Sequence, residues 1–139
     1  MIKICLRAMF LVTGLAWSTF SLGKAQVQGP ALLPIMAQMA SAAIELETGI
    51  FYGNCDVIKN GARDIANHPA PSDIDRIKKI LGPKIAEFKA IDQKVHKAAS
   101  GILKSCDPKN LDKVLTLHHE MLQSCVECHS RFREQVKRG

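Results

Sequence analysis

The chain is expected to be all-α, an antiparallel up-down-up-down bundle of four helices, and three observations lead there. Apolar residues recur at spacings of three and four through four long stretches, no stretch alternates with period two, and proline or glycine falls between the stretches. Amphipathic segments joined by short links bury their stripes against one another most simply by running alternately up and down.

Residues 1–25 precede this pattern and read as a secretory signal. Lys3 and Arg7 form a basic start, Ala8 to Leu22 an apolar stretch, and Gly23-Lys24-Ala25 a small-x-small cleavage site. The apolar stretch is too short to span a bilayer, and no later segment resembles a membrane span. The rival, an uncleaved membrane anchor, fits those features less well. Cleavage after Ala25 leaves one domain, 26–139, exported to the periplasm. The net charge falls with it from +6 to +3, too mild to argue for a nucleic-acid partner.

The first helix is expected from Pro30 to Glu47, with Leu32, Ile35, Met36, Met39, Ala43 and Leu46 on one stripe and Gly49 as the stop. Phe51 and Tyr52 are expected to close the loop that follows. The second helix runs from about Cys55 to Asn67, with Cys55, Ile58, Ala62, Ile65 and Ala66 inward. It ends at His68-Pro69-Ala70-Pro71, because proline disfavours helix in the residue before it. Ser72 is the expected N-cap of a short helical piece through Ile80, broken at Gly82-Pro83. From Pro83 a third helix puts Ile85, Phe88, Ile91, Val95, Ala98, Ala99, Ile102 and Leu103 on one face. The fourth is expected to open with Asp107 as N-cap and Pro108 in its first turn. Its stripe is Leu111, Val114, Leu115, His118, Met121, Leu122, Cys125, Cys128, His129, Phe132 and Val136.

That stripe contains Cys125-Val126-Glu127-Cys128-His129, a C-x-x-C-H sequence. On a helix, positions i, i+3 and i+4 share a face, so both sulfurs and the imidazole project together. This is the attachment pattern of c-type haem, in which two thioethers hold the porphyrin and the adjacent His ligates iron. A zinc site would need a second Cys or His pair at ligand spacing, and His118-His119 is adjacent. A thioredoxin-like C-x-x-C follows a strand, and none precedes this one. One covalent haem c near the C-terminus, on Cys125, Cys128 and His129, is therefore expected. Around it lie Arg131, Arg133, Lys137 and Arg138 with a single Glu134. These cations either solvate a helix end and suit its dipole, or form a basic rim that steers an acidic redox protein.

The sequence C-V-E-C-H-S-R-F-R close to the C-terminus, Phe88-Lys89 in the third helix and the helix count together resemble the class II c-type cytochromes, the cytochrome c′ group. The resemblance covers the mature chain, though the first two helices match only in pattern. It implies a mono-haem bundle whose sixth iron position is filled by a Met early in the first helix or merely covered by an apolar side chain. Only ten residues follow His129 and none is Met, so a second ligand must come from upstream. Met121 lies on the helix that carries His129, roughly 12 Å along its axis, and cannot easily cross to the opposite haem face. Met36 is the first candidate, by its match to four-helix cytochromes with an early Met, and Met39 the second. Core filling by either methionine is the competing reading. The resemblance also implies an Arg beside the proximal haem face, here Arg133, and pairing of subunits through the first two helices, so a homodimer is an expectation. Phe132 is expected on the porphyrin, though plain core packing would put it in the same position.

Cys55 begins the second helix and Cys106 ends the third, two points at the same end of such a bundle, opposite the haem. Export permits a bridge, expected to stabilise by about 2–4 kcal/mol; two separate buried thiols are the alternative. His118, on the inward stripe roughly 16 Å from His129, is expected to be a boundary residue with an ordinary hydrogen bond. His68, His96 and His119 fall on surface faces.

Two functions remain open. With His129 and a Met on the iron, the protein is an electron carrier that meets redox partner proteins. With an empty sixth position it binds diatomic gases such as nitric oxide or carbon monoxide. No paired carboxylates, serine triad or distal acid–base residue points to an enzyme.

Overall fold

The computed structural model describes residues 32–138; the expected signal segment and its cleavage site lie outside the described residues. Within them the chain is all-helical. It comprises α1 (Leu33–Tyr52), α2 (Cys55–Ala66), α3 (Ile74–Leu81), a 3-10 turn (Gly82–Lys84), α4 (Ile85–Ser105) and α5 (Asp112–Arg138). No described helix is long and apolar enough to cross a membrane.

α1 does not stop at Gly49. It runs on to Tyr52, and Gly53, at φ +62°, ends it. Its left-handed conformation lets the Gly53 and Asn54 amides reach back to the Ile50 and Gly49 carbonyls, closing the last turn as glycine C-caps do. Gly49 serves a different purpose. It is buried, and a Cβ there would lie 2.6 Å from the Ile58 amide nitrogen. Gly61 answers from α2, where a Cβ would lie 2.5 Å from the Ala42 carbonyl oxygen. The two backbones thus touch at both glycines. Asn54 then starts α2 by accepting from the Asp56 and Val57 amides. With only Gly53 and Asn54 between helices, Phe51 and Tyr52 have no loop to close, and both are exposed.

The N-cap of α3 is Asp73, whose carboxylate accepts from the Arg76 amide, and not Ser72. α3 buries Ile77 and Leu81 in a cluster with Leu32, Ile35, Ile91, Phe132 and Val136. Further along, Asp107 caps a tight turn by accepting from the Lys109 amide, and α5 begins only at Asp112, after Asn110 accepts from the Asp112 amide. With 27 residues α5 is about 40 Å long. It buries Val114, Met121, Ser124, Phe132 and Val136, a narrower stripe than expected. Leu115 and Leu122 are exposed.

Helix pairing positions the site. α1 packs on α2, α2 on α4, and α4 on α5, with α3 against α4 and α5. α1 and α5 meet through side chains alone: among the described residues no Cα of α1 comes within 8 Å of a Cα of α5, as is also true of the α1–α4 and α2–α5 pairs. A second core cluster, centred on Leu46, Ile58, Ile65, Ala99, Ile102 and Val114, fills the other end of the molecule.

Candidate functional site

The space between α1 and α5 is where the C-x-x-C-H residues lie. Cys125 and Cys128 are half-buried and unbridged, and His129 is exposed. Two cavities open there. One, of about 200 Å³, is lined by Met36, Met39, Val95, Met121, Cys125 and His129 among others. The second, of about 250 Å³, is lined by Leu32, Met36, Phe132, Arg133, Val136 and Lys137 among others. Met36, Phe88, Cys128 and His129 border both.

Two of these four shared residues touch each other. His129 Nε2 lies 3.5 Å from Met36 Sδ, so the imidazole of α5 and the thioether of α1 face each other across the gap. Met36, one turn into α1 after the buried Leu32 and Ile35, is therefore the methionine opposite His129. Met39 lines the first cavity and packs against both core clusters. Met121 is buried core on the helix that carries His129.

Phe132 is buried, edge-on to Phe88 with ring centroids 5.6 Å apart. Arg133 lines the wall of the second cavity, its Nε 3.5 Å from Glu134 Oε1. The other cations near the motif are partly engaged. Arg131 pairs with Glu87 of α4 and, at 3.0 Å, with Glu127, and Lys137 Nζ lies 3.3 Å from Glu134.

The chemistry of the two thiols narrows the choices. Burial pushes the Cys125 pKa up, and burial with the charges of Asp92 and Glu127 and the neighbouring Cys125 pushes Cys128 up to about 11. At Cys125 a backbone hydrogen bond pulls the other way, but burial outweighs it, so both thiols rest in the neutral form in the absence of a metal. Neutral sulfurs beside apolar walls and His129 fit a flat apolar group held through thioethers. Bonds from a metal to nitrogen and sulfur run about 2.0–2.1 and 2.3 Å for zinc. A metal of similar size between His129 Nε2 and Met36 Sδ would part them by less than about 1 Å.

Elsewhere the structure joins Cys55 to Cys106 by a disulfide, Cα atoms 5.8 Å apart, linking the start of α2 to the residue after α4. His118 lacks the ordinary hydrogen bond expected of it. Its Nε2 is buried without a partner, 3.9 Å from Glu47 Oε1. Burial holds its pKa below the usual histidine value, with Glu47 opposing and His119 assisting. His119 is exposed.

His68 and His96 do not lie on open surface faces. They stack on each other beside Asp92, a residue of the first cavity's wall. Asp92 and His96, spaced i, i+4 on α4, were the only trace of this group in the sequence.

No family model, no curated protein and no solved structure matches the chain.

Proposed function

We infer that the protein is an exported, periplasmic electron carrier of the class II c-type cytochrome kind, an antiparallel up-down-up-down bundle holding one haem c. The observation that carries this is the 3.5 Å approach of His129 Nε2 to Met36 Sδ, across a gap that α1 and α5 leave unpaired and beside two free thiols. Leu32, Ile35, Phe132 and Val136 close one end of this space with side chains; around His129 two apolar-walled cavities are left, where packed helices ordinarily leave few voids.

Cys125 and Cys128 would tether the porphyrin, and His129 and Met36 would hold its iron. Bound haem supplies a one-electron iron couple, and a thioether ligand raises its potential. Phe132, Phe88, Ile91 and Val95 make the surroundings apolar. Arg133 and Lys137, at the mouth of the second cavity, offer cations to the acid groups that a porphyrin carries and to an acidic redox partner. Ligation by both His129 and Met36 would leave the iron no open position for substrate or gas, which supports a carrier over an enzyme.

Optical spectra of the purified protein with and without carbon monoxide test this. Low-spin ferric and ferrous spectra are expected, with little carbon monoxide uptake. Met36→Ala is expected to give a high-spin ferrous form that binds carbon monoxide at once, and Met39→Ala to behave as the parent. Immediate carbon monoxide binding to a high-spin parent would instead establish the gas-binding function.

A further inference from the structure

His68, Asp92 and His96 form a compact group whose ligand atoms all lie within 4.8 Å of one another. His68 comes from the connection after α2, while Asp92 and His96 share one face of α4. Their hydrogen bonds fix what each ring presents. His96 Nδ1 is 2.7 Å from the Ala66 carbonyl oxygen, and His68 Nδ1 is 3.1 Å from that of Pro69. A carbonyl oxygen only accepts, so both Nδ1 atoms carry hydrogen, and Nε2 of each ring, a lone pair whenever the ring is neutral, is left for a further partner.

Those lone pairs face a carboxylate. His68 Nε2 lies 3.4 Å from Asp92 Oδ1, and His96 Nε2 lies 3.4 Å from Asp92 Oδ2. The rings are stacked, centroids 4.5 Å apart and planes 26° apart, so both aim at the same side chain. His68 Nε2 is buried and has no hydrogen-bond partner. A carboxylate flanked by two ring nitrogens calls for a cation among them, a proton or a metal ion.

We propose that His68, Asp92 and His96 bind a divalent transition-metal cation of the zinc type. A tetrahedral centre takes one atom from each residue, and donors about 2.0–2.2 Å from it lie about 3.3–3.6 Å apart; each Nε2 is 3.4 Å from its nearer Asp92 oxygen, and one ligand atom from each of the three residues falls within 4.8 Å of the others. Imidazole and carboxylate oxygen suit zinc, and carbonyl partners on Nδ1 are the usual way a ligating histidine is oriented. The site also stands at the C-terminal end of α2, where the helix dipole favours a cation. The Asp92 and His96 side chains are 37% and 33% exposed, which leaves water the fourth position. Bound there, the metal clips the 67–73 connection to α4 behind the first cavity. The proposal rests on no part of the haem reading.

The test uses the untagged mature protein, stripped with a chelator and treated with iodoacetamide so that any free thiol is out of play. Zinc alone is then titrated by calorimetry, and bound metal is counted by mass spectrometry after desalting. One zinc per chain is expected. His68→Gln and His96→Gln should each weaken binding beyond the about 10–100-fold that losing a ligand's hydrogen-bond partner costs, while His119→Gln leaves it unchanged. Circular dichroism checks that each variant is folded, and His68, on a connection, can be replaced without touching a helix. Absence of binding in molar excess of zinc, or binding that both glutamine variants retain, overturns the proposal.

Discussion

Cys125, Cys128 and His129 could be read as one group from the sequence because they share a helical turn, and their spacing alone puts them on a common face. Met36 could only be narrowed to one of two residues. Which methionine meets His129 depends on how far α1 is offset along α5, and that offset comes from packing. His68, Asp92 and His96 were illegible for a related reason: a connection and a helix from different parts of the chain bring them together. His118 supports a prediction at this scale. Its depressed pKa means that the folded state favours the neutral ring. Stability is therefore complete above the unfolded value of 6.5 and falls as pH drops below it toward the lower folded value. In urea titrations across that window, His118→Leu should lose less stability on acidification than the parent. An equal loss in both would mean that His118 does not titrate between the two states.

Among the elements, helix existence followed from periodicity, whereas several ends did not. Gly49 reads as a stop because glycine commonly ends helices, yet here it serves the close approach of α1 and α2. Asp107 carries an N-cap side chain but spends it on its own turn, and Asp73 outcompetes its neighbour Ser72. Local chemistry offers several equivalent caps, and tertiary packing selects one. The α1–α2 contact is open to a direct test. An alanine at Gly61 would gain about 0.5–1 kcal/mol of helix preference. It would also drive a Cβ to within 2.5 Å of the Ala42 carbonyl oxygen and 2.6 Å of the Leu46 amide nitrogen, both backbone atoms that cannot swing aside. Overpacking of this kind costs about 1–3 kcal/mol, so the clash wins. Gly61→Ala should lower the melting temperature by several degrees, and an unchanged or raised value would mean that the helices stand further apart.

Over the whole molecule, the number and order of helices were legible because four amphipathic segments have few ways to bury their stripes. The open α1–α5 face was not, because no sequence pattern records how closely two helices approach. That gap ties the parts together. α3 closes one end beside Phe132 and Val136, the Cys55–Cys106 bridge holds the other, and His129 and Met36 face each other between them. A domain this small buries little apolar surface by itself, so the haem proposed for the gap would contribute to the fold as well as to the chemistry. The most direct measurement is the intact mass of the protein purified after expression of the full 139-residue chain in a host that matures c-type cytochromes, together with absorption after acid–acetone extraction. A mass greater than that of the polypeptide by one haem is expected, with the Soret band remaining in the protein pellet. A mass equal to that of the amino acids alone, with no Soret band retained, would contradict covalent haem at Cys125 and Cys128.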